Sequence, residues 1–202
     1  PEEERVWLFW GPVEGDIDTD DADVEWLGDS ESSTGTDLGV AGDWTGDGHP
    51  DLVVSAPSDS SGDDRAGAVF LLDGSSEGGL VSDQAVASFV GEQPFDNAGH
   101  AVSSDGDVNG DEVPDLLIGA NYYGANDPGI AYLVYGGPTE GVHSLRLADA
   151  RFEGNVAEQA GSDVVIAGDL DGDGSAELLI SSPAASENGS GSGSVWVLSA
   201  TW

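Results

Sequence analysis

The chain contains no cysteine, no methionine and no lysine, and it sets four arginines (Arg5, Arg65, Arg146, Arg151) against forty acidic side chains. Without cysteine there is no disulfide, no thiol chemistry and no zinc-thiolate site. A formal charge of -36 excludes a nucleic-acid backbone or an anionic membrane surface as a partner, because both would repel the chain. No apolar run approaches the roughly 18 to 20 residues of a membrane span, and no signal peptide is visible. The chain opens at Pro1, so it is expected to be a processed or trimmed piece of a longer product.

What is present is an ordinary apolar share of 38% over 202 residues, enough for one domain with a real core, so the acidity does not imply disorder. The carboxylates have two uses. Some can hold divalent cations, and the rest suit salty or calcium-rich surroundings, where screening blunts self-repulsion. An extracellular chain without disulfides needs another staple, and bound calcium is one.

Self-comparison finds three copies of one segment. Gly42–Pro57, Gly106–Asn121 and Gly168–Pro183 align without gaps, and their first aspartates stand at 43, 107 and 169, steps of 64 and 62. Gly28, Gly91 and Gly154 keep the same beat, as do Gly67, Gly129 and Gly193, which open three apolar runs. Each unit reads as four short strands bounded by Gly, Asp, Asn and Ser, and no stretch carries a sustained helical period. Four-stranded units at a fixed step predict an all-β fold of β-propeller blades with four antiparallel strands each. The near-continuous apolar third strands (68–72, 130–135, 194–198) predict sheets covered on both faces.

Val6–Pro12 matches Ala131–Pro138, so residues 1–35 read as the end of a preceding blade. Residues 36–97 and 98–159 then form two complete blades, and 160–202 an incomplete third with Trp202 just past its third strand. Two complete and two partial blades do not close a ring of four to eight. The expectation is a fragment of a longer propeller or a homodimer whose copies complete each other.

Each copy carries a loop of the form D-x-[D/N/T]-G-D-[G/E]-x-x-[D/E]. Positions 1, 3 and 5 put oxygen-bearing side chains inside a tight turn, position 7 offers a carbonyl, and position 9 closes with a carboxylate. Such a loop supplies the hard oxygens at about 2.3–2.6 Å that calcium prefers. The expected ligands are Asp43, Thr45, Asp47, the His49 carbonyl and Asp51; Asp107, Asn109, Asp111, the Val113 carbonyl and Asp115; and Asp169, Asp171, Asp173, the Ser175 carbonyl and Glu177. That makes three Ca2+ sites, with the third, richest in acids, expected to bind tightest. An EF-hand is excluded because its position 12 falls on Val54, Ile118 and Ile180, inside strands. Glu112 stands where the turn favours glycine.

The loops followed by Leu-Val-Val-Ser-Ala-Pro57, Leu-Leu-Ile-Gly-Ala-Asn121 and Leu-Leu-Ile-Ser-Ser-Pro183 resemble FG-GAP repeats, the blades of integrin alpha-subunit propellers. The GAP element is best kept at Ser55-Ala56-Pro57. The FG element survives as Leu38-Gly39, Ala98-Gly99 and Ala160-Gly161, without its Phe. The resemblance implies a propeller with calcium in the loops between first and second strands, on the face opposite the usual ligand side. It also implies an extracellular or cell-surface protein that binds a protein or glycan ligand in adhesion. The lack of Cys and Lys is unlike an animal integrin and favours a bacterial relative.

No enzyme site is expected. His49 falls at a carbonyl-donating loop position, His100 in a first strand and His143 in a connection, and none sits in a nucleophile motif. The tract Ser186–Ser194 lacks the lysine of a phosphate cradle. Trp7, Trp10, Trp26, Trp196 and Trp202 lie in or beside predicted strands and are expected in the core. Trp44, in the first metal loop, is expected to pack as Val108 and Leu170 do at the same position. An exposed Trp44 would instead stack on a sugar, as in a noncatalytic carbohydrate-binding module of a secreted enzyme.

Overall fold

The computed structural model describes residues 4–199, so Trp202 lies outside the described residues. The chain folds as a row of β-sheets stacked face to face. The first blade pairs β3 (Leu38–Val40), β4 (Leu52–Ala56), β5 (Ala68–Leu72) and β7 (Ala85–Val90) in antiparallel order. The second pairs β8 (Ala101–Gly106), β9 (Asp115–Ala120), β10 (Ile130–Val134) and β12 (Ala150–Glu153) in the same way. Ahead of them β1 (Arg5–Leu8) pairs with β2 (Val24–Leu27), and behind them stand β13 (Val164–Ile166), β14 (Leu178–Ser182) and β15 (Ser194–Leu198). These are the strands the repeat predicts.

Two further strands are not. β6 (Gly79–Leu80) lies parallel on β2, and β11 (Gly141–Ser144) lies parallel on β7. Each leaves its own blade between the third and fourth strands and straps the outer edge of the blade before. Neither segment carries a strand period, so only the tertiary contact makes it a strand. A single helical turn, α1 (Val81–Gln84), follows the first strap.

Alternation along the third strands explains their apolar runs. In β10, Ile130 and Tyr132 join the core shared with the first blade, alongside Val69, Leu71 and Phe89. Ala131 and Leu133 join the core shared with Val164, Leu178 and Ile180 behind. Both faces of β5 and β10 are therefore covered, which buries about 1.5–3 kcal/mol per large aliphatic side chain. The beat of Gly67 and Gly129 has a steric cause: each forms a bridge to Ala98 or Ala160 of the following blade, where a Cβ would run into backbone.

The prediction of two covered faces fails for β15. Val195 and Val197 are each 61% exposed, because no described strand stacks behind them. The expectation that the strand-associated tryptophans are core holds for Trp26, which is fully buried, and fails for two others. Trp7 faces away from the first blade and is 38% exposed, donating through Nε1 to Glu25; Trp10 lies past the end of β1 and is 57% exposed. A place in a strand does not say which face is covered.

Candidate metal centres

Because neighbouring strands are antiparallel, the acidic loops between first and second strands share one end of the blades with the connections between third and fourth strands. In each loop the first aspartate accepts amides from residues three to five ahead. Asp107 takes the N–H groups of Gly110 (2.7 Å), Asp111 (3.2 Å) and Glu112 (2.8 Å). Asp169 takes those of Gly172 (2.6 Å), Asp173 (3.1 Å) and Gly174 (3.0 Å). Asp43 accepts from Gly48 at 3.0 Å. The turn this demands passes twice through the left-handed region, at Gly110 and Glu112 in the second loop and at Gly172 and Gly174 in the third. Glycine does this freely, whereas Glu112, at φ 69°, does it at a cost of about 1–2 kcal/mol.

The fifth-position acids Asp47, Asp111 and Asp173 each turn an Oδ1 to the N–H of His49, Val113 and Ser175, at 2.8, 2.9 and 2.9 Å. The loops are thus folded around their carboxylates, with oxygens directed inward. They part company at position 9. Asp51 spends one oxygen on the Thr45 amide (2.7 Å) and the other on Gly74 (3.3 Å); Asp115 spends its two on Val108 (2.7 Å) and Gly136 (2.8 Å). Both are fully buried. Burial lifts Asp115 above its ordinary carboxylate pKa, and the neighbouring charges of Asp107 and Asp111 lift it further. These two aspartates latch the loop to the end of the third strand.

Glu177 is different. Its Oε2 accepts from the Leu170 amide, while its Oε1 is buried without a partner. Asp169, Asp171 and Glu177 each bring an oxygen to within 4.8 Å of the others. Thr45 and Asn109 carry no charge at the corresponding third position, so Asp171 alone completes a triad of carboxylates. Asp173 stands outside that triad. A buried carboxylate oxygen with no donor is costly unless something positive meets it, and three acids so close repel one another. The third loop therefore fits a hard divalent cation. In the first loop Thr45 Oγ1 is likewise buried without a partner, a neutral oxygen in the ligand position.

Trp44 is buried at 2% exposure and meets Phe89 edge-on at 6.4 Å, so it is a packing residue and no sugar platform. His143 pairs opposite Phe89 across the strap, with ring centres 5.8 Å apart, and its Nε2 meets the Glu140 carbonyl at 2.9 Å. His49 is exposed and His100 half-buried.

At the other end of the blades, the connections of second to third and of fourth to next-first strands meet. Arg65, Pro94, Phe95, Asn97, Tyr122 and Asp127 line a cleft of about 350 Å³ there, with Phe95 and Tyr122 exposed. No sequence pattern marks this cleft, since its residues come from separate loops. Beneath it Asp96 accepts the amides of Gln93 (2.9 Å) and Gly124 (3.4 Å), and burial pushes its pKa up to about 6. Arg151 joins Glu92 at 2.6 Å and stands over the Tyr123 and Tyr132 rings, tying the second blade to the turn that ends the first.

The fold and its loops define a class: a β-propeller segment with an acidic loop in each blade. The model of the FG-GAP repeat matches residues 34–72 and 160–198, which frame the second repeat with its departure at Glu112. The chain carries FG-GAP repeats, and the proteins it is similar to include integrin alpha subunits. It is 41% identical to integrin alpha-7 of Mus musculus over 95 residues, 46% of this chain and 7% of that protein. Against phosphatidylinositol-glycan-specific phospholipase D of Homo sapiens it is 33% identical over 144 residues, 67% of this chain and 17% of that one. With integrin alpha pat-2 of Caenorhabditis briggsae it shares 35% identity over 88 residues, 43% and 7%. The chain thus spans less than a fifth of the length of these relatives.

Proposed function

We propose that the chain is a calcium-stabilised propeller segment of an extracellular or cell-surface protein, used to recognise an extracellular protein in adhesion. Its blades divide at residues 36, 98 and 160. Calcium is held by Asp169, Asp171, Asp173, the Ser175 carbonyl and Glu177 in the third loop, and by the corresponding residues of the first two. The observation that carries this reading is the orphaned Oε1 of Glu177 inside the carboxylate triad. Bound calcium neutralises the triad and stiffens the end of the blades, so the opposite end presents its loops on a firm base. Recognition falls to the cleft of Phe95, Tyr122 and Arg65, which joins exposed aromatic surface to one of the few cations in the chain.

A second reading, a noncatalytic module of a secreted enzyme that binds carbohydrate, draws on the similarity to the phospholipase D named above. Protein and glycan arrays probed with calcium and again with EDTA separate the two. Binding to extracellular proteins that falls with Tyr122→Ala supports the first. Binding confined to glycans, or signals indifferent to Tyr122→Ala and Phe95→Ala, would rule against it.

A further inference from the structure

Six asparagines stand in the chain, and only Asn188 has Ser or Thr two residues on, in Asn188-Gly189-Ser190. The triplet lies in the connection from β14 to β15, at the end of the blades that also carries the cleft of Phe95 and Tyr122. All three residues are exposed.

The loop closes on itself without using the side chains of this triplet. Ala185 is fully buried and anchors it, and its carbonyl accepts from the Gly193 amide at 2.9 Å. Ser186 Oγ accepts from the Gly191 amide (3.0 Å) and Ser192 Oγ from the Asn188 amide (3.4 Å). At its base Ala184 donates to the Glu158 carbonyl at 3.3 Å. Among the described residues the Asn188 carboxamide and the Ser190 hydroxyl have no hydrogen-bond partner. Two other asparagines show the contrast, with Asn109 Nδ2 donating to Asp111 at 3.1 Å and Asn155 Nδ2 to Glu158 at 3.0 Å. Exposure belongs to the bend and not to its place in the row. The matching bend of the first blade is exposed from Ser60 to Arg65 with a blade packed behind it. A free carboxamide two residues ahead of a free hydroxyl, on an exposed bend of small polar residues, is the acceptor that an oligosaccharyl transferase recognises.

We propose that Asn188 is an N-glycosylation site, which sets a bulky, hydrophilic glycan over the third blade at the recognition end. The proposal rests on the extracellular reading above, since transfer takes place along a secretory route. The donor is a lipid-linked oligosaccharide diphosphate. Asn188 Nδ2 attacks the anomeric carbon of its first sugar; the N–C bond forms and the bond from that carbon to the phosphate oxygen breaks. The lipid diphosphate leaves with the electron pair, and the amide gives up one proton to a base of the transferase.

Secretion of the 202-residue chain from a eukaryotic host, behind an added leader peptide, brings it to such a transferase. Mass spectrometry of the intact protein and of the peptide containing Asn188 then reads the site. One N-glycan is expected, on Asn188, with complete loss in Asn188→Gln and in Ser190→Ala. Both side chains are exposed, so neither change disturbs the fold. Ser190→Ala also keeps the Asn188-Gly189 pair, so spontaneous deamidation of that pair is not mistaken for a removed glycan. An unmodified Asn188 in the secreted chain, or a glycan that survives Ser190→Ala, would overturn the proposal. The host supplies the transferase whatever the natural setting, so that failure would leave the adhesion reading standing; the latter is judged separately, by array binding of unglycosylated protein.

Discussion

The second and third acidic loops share a motif and a fold yet use their last carboxylate differently. Asp115 is short, buried and satisfied on both oxygens by the amides of Val108 and Gly136. Glu177 is one methylene longer, reaches only the Leu170 amide, and leaves Oε1 buried and bare beside Asp169 and Asp171. Both loops turn on the amides of their first aspartate, but the last position is latched on both oxygens in one and keeps a bare buried oxygen in the other. A repeat motif therefore fixes the turn more firmly than it fixes the work each position does.

The sharpest way to break this comparison is to remove the two side chains in turn. Asp115→Ala strands two buried amides and should cost about 3 kcal/mol without calcium, with only a small further loss when calcium is present, since both its oxygens already serve amides. Glu177→Ala strands one amide but also removes the orphaned oxygen. Its cost without calcium should be about 1 kcal/mol, and larger with calcium present, when a ligand is lost. Urea unfolding in calcium and in EDTA reads both; equal calcium dependence for the two variants would erase the distinction.

Asp96 tests whether a doubly held, buried carboxylate behaves as a latch where no acidic loop surrounds it. Its pKa lies at about 6 in the folded chain against an ordinary 3.8, chiefly through burial. A folded-state pKa above the unfolded one means the native state keeps its proton longer, so this group's contribution is full below 3.8 and is lost as pH rises to about 6. D96N removes that loss. Its stability relative to the unsubstituted chain should rise by on the order of 2 kcal/mol between about pH 4 and pH 7, read by urea midpoints at fixed calcium. A flat difference would place the carboxylate in a wetter site than the structure shows.

Glu112→Gly should give the smallest effect, a gain of about 1 kcal/mol from relieving the left-handed turn, with calcium affinity at the third loop unmoved. Thermal melts in EDTA check it, and a loss of stability would mean the Glu112 side chain holds the second loop in some other way.

Much of this was legible before any coordinates. The aspartates at 43, 107 and 169 and the apolar third strands set the blades in register, because a repeat makes each copy a check on the others. The straps were not legible. Gly79–Leu80 and Gly141–Ser144 have no alternation of their own and become strands only against β2 and β7. Nor was the exposure of Trp7 and Val197, since strand pattern does not reveal which blade faces lie at an end of the stack. The division of labour between Asp115 and Glu177 rests on which amides come within reach, and that depends on the ends of neighbouring strands.

The most direct measurement is a calorimetric calcium titration of the unsubstituted chain beside Glu177→Gln. The tightest class of sites should be present in the first and absent from the second, with weaker binding by the other loops retained. A Glu177→Gln protein that keeps the tightest site at full stoichiometry would contradict the assignment of the third loop as the principal calcium centre.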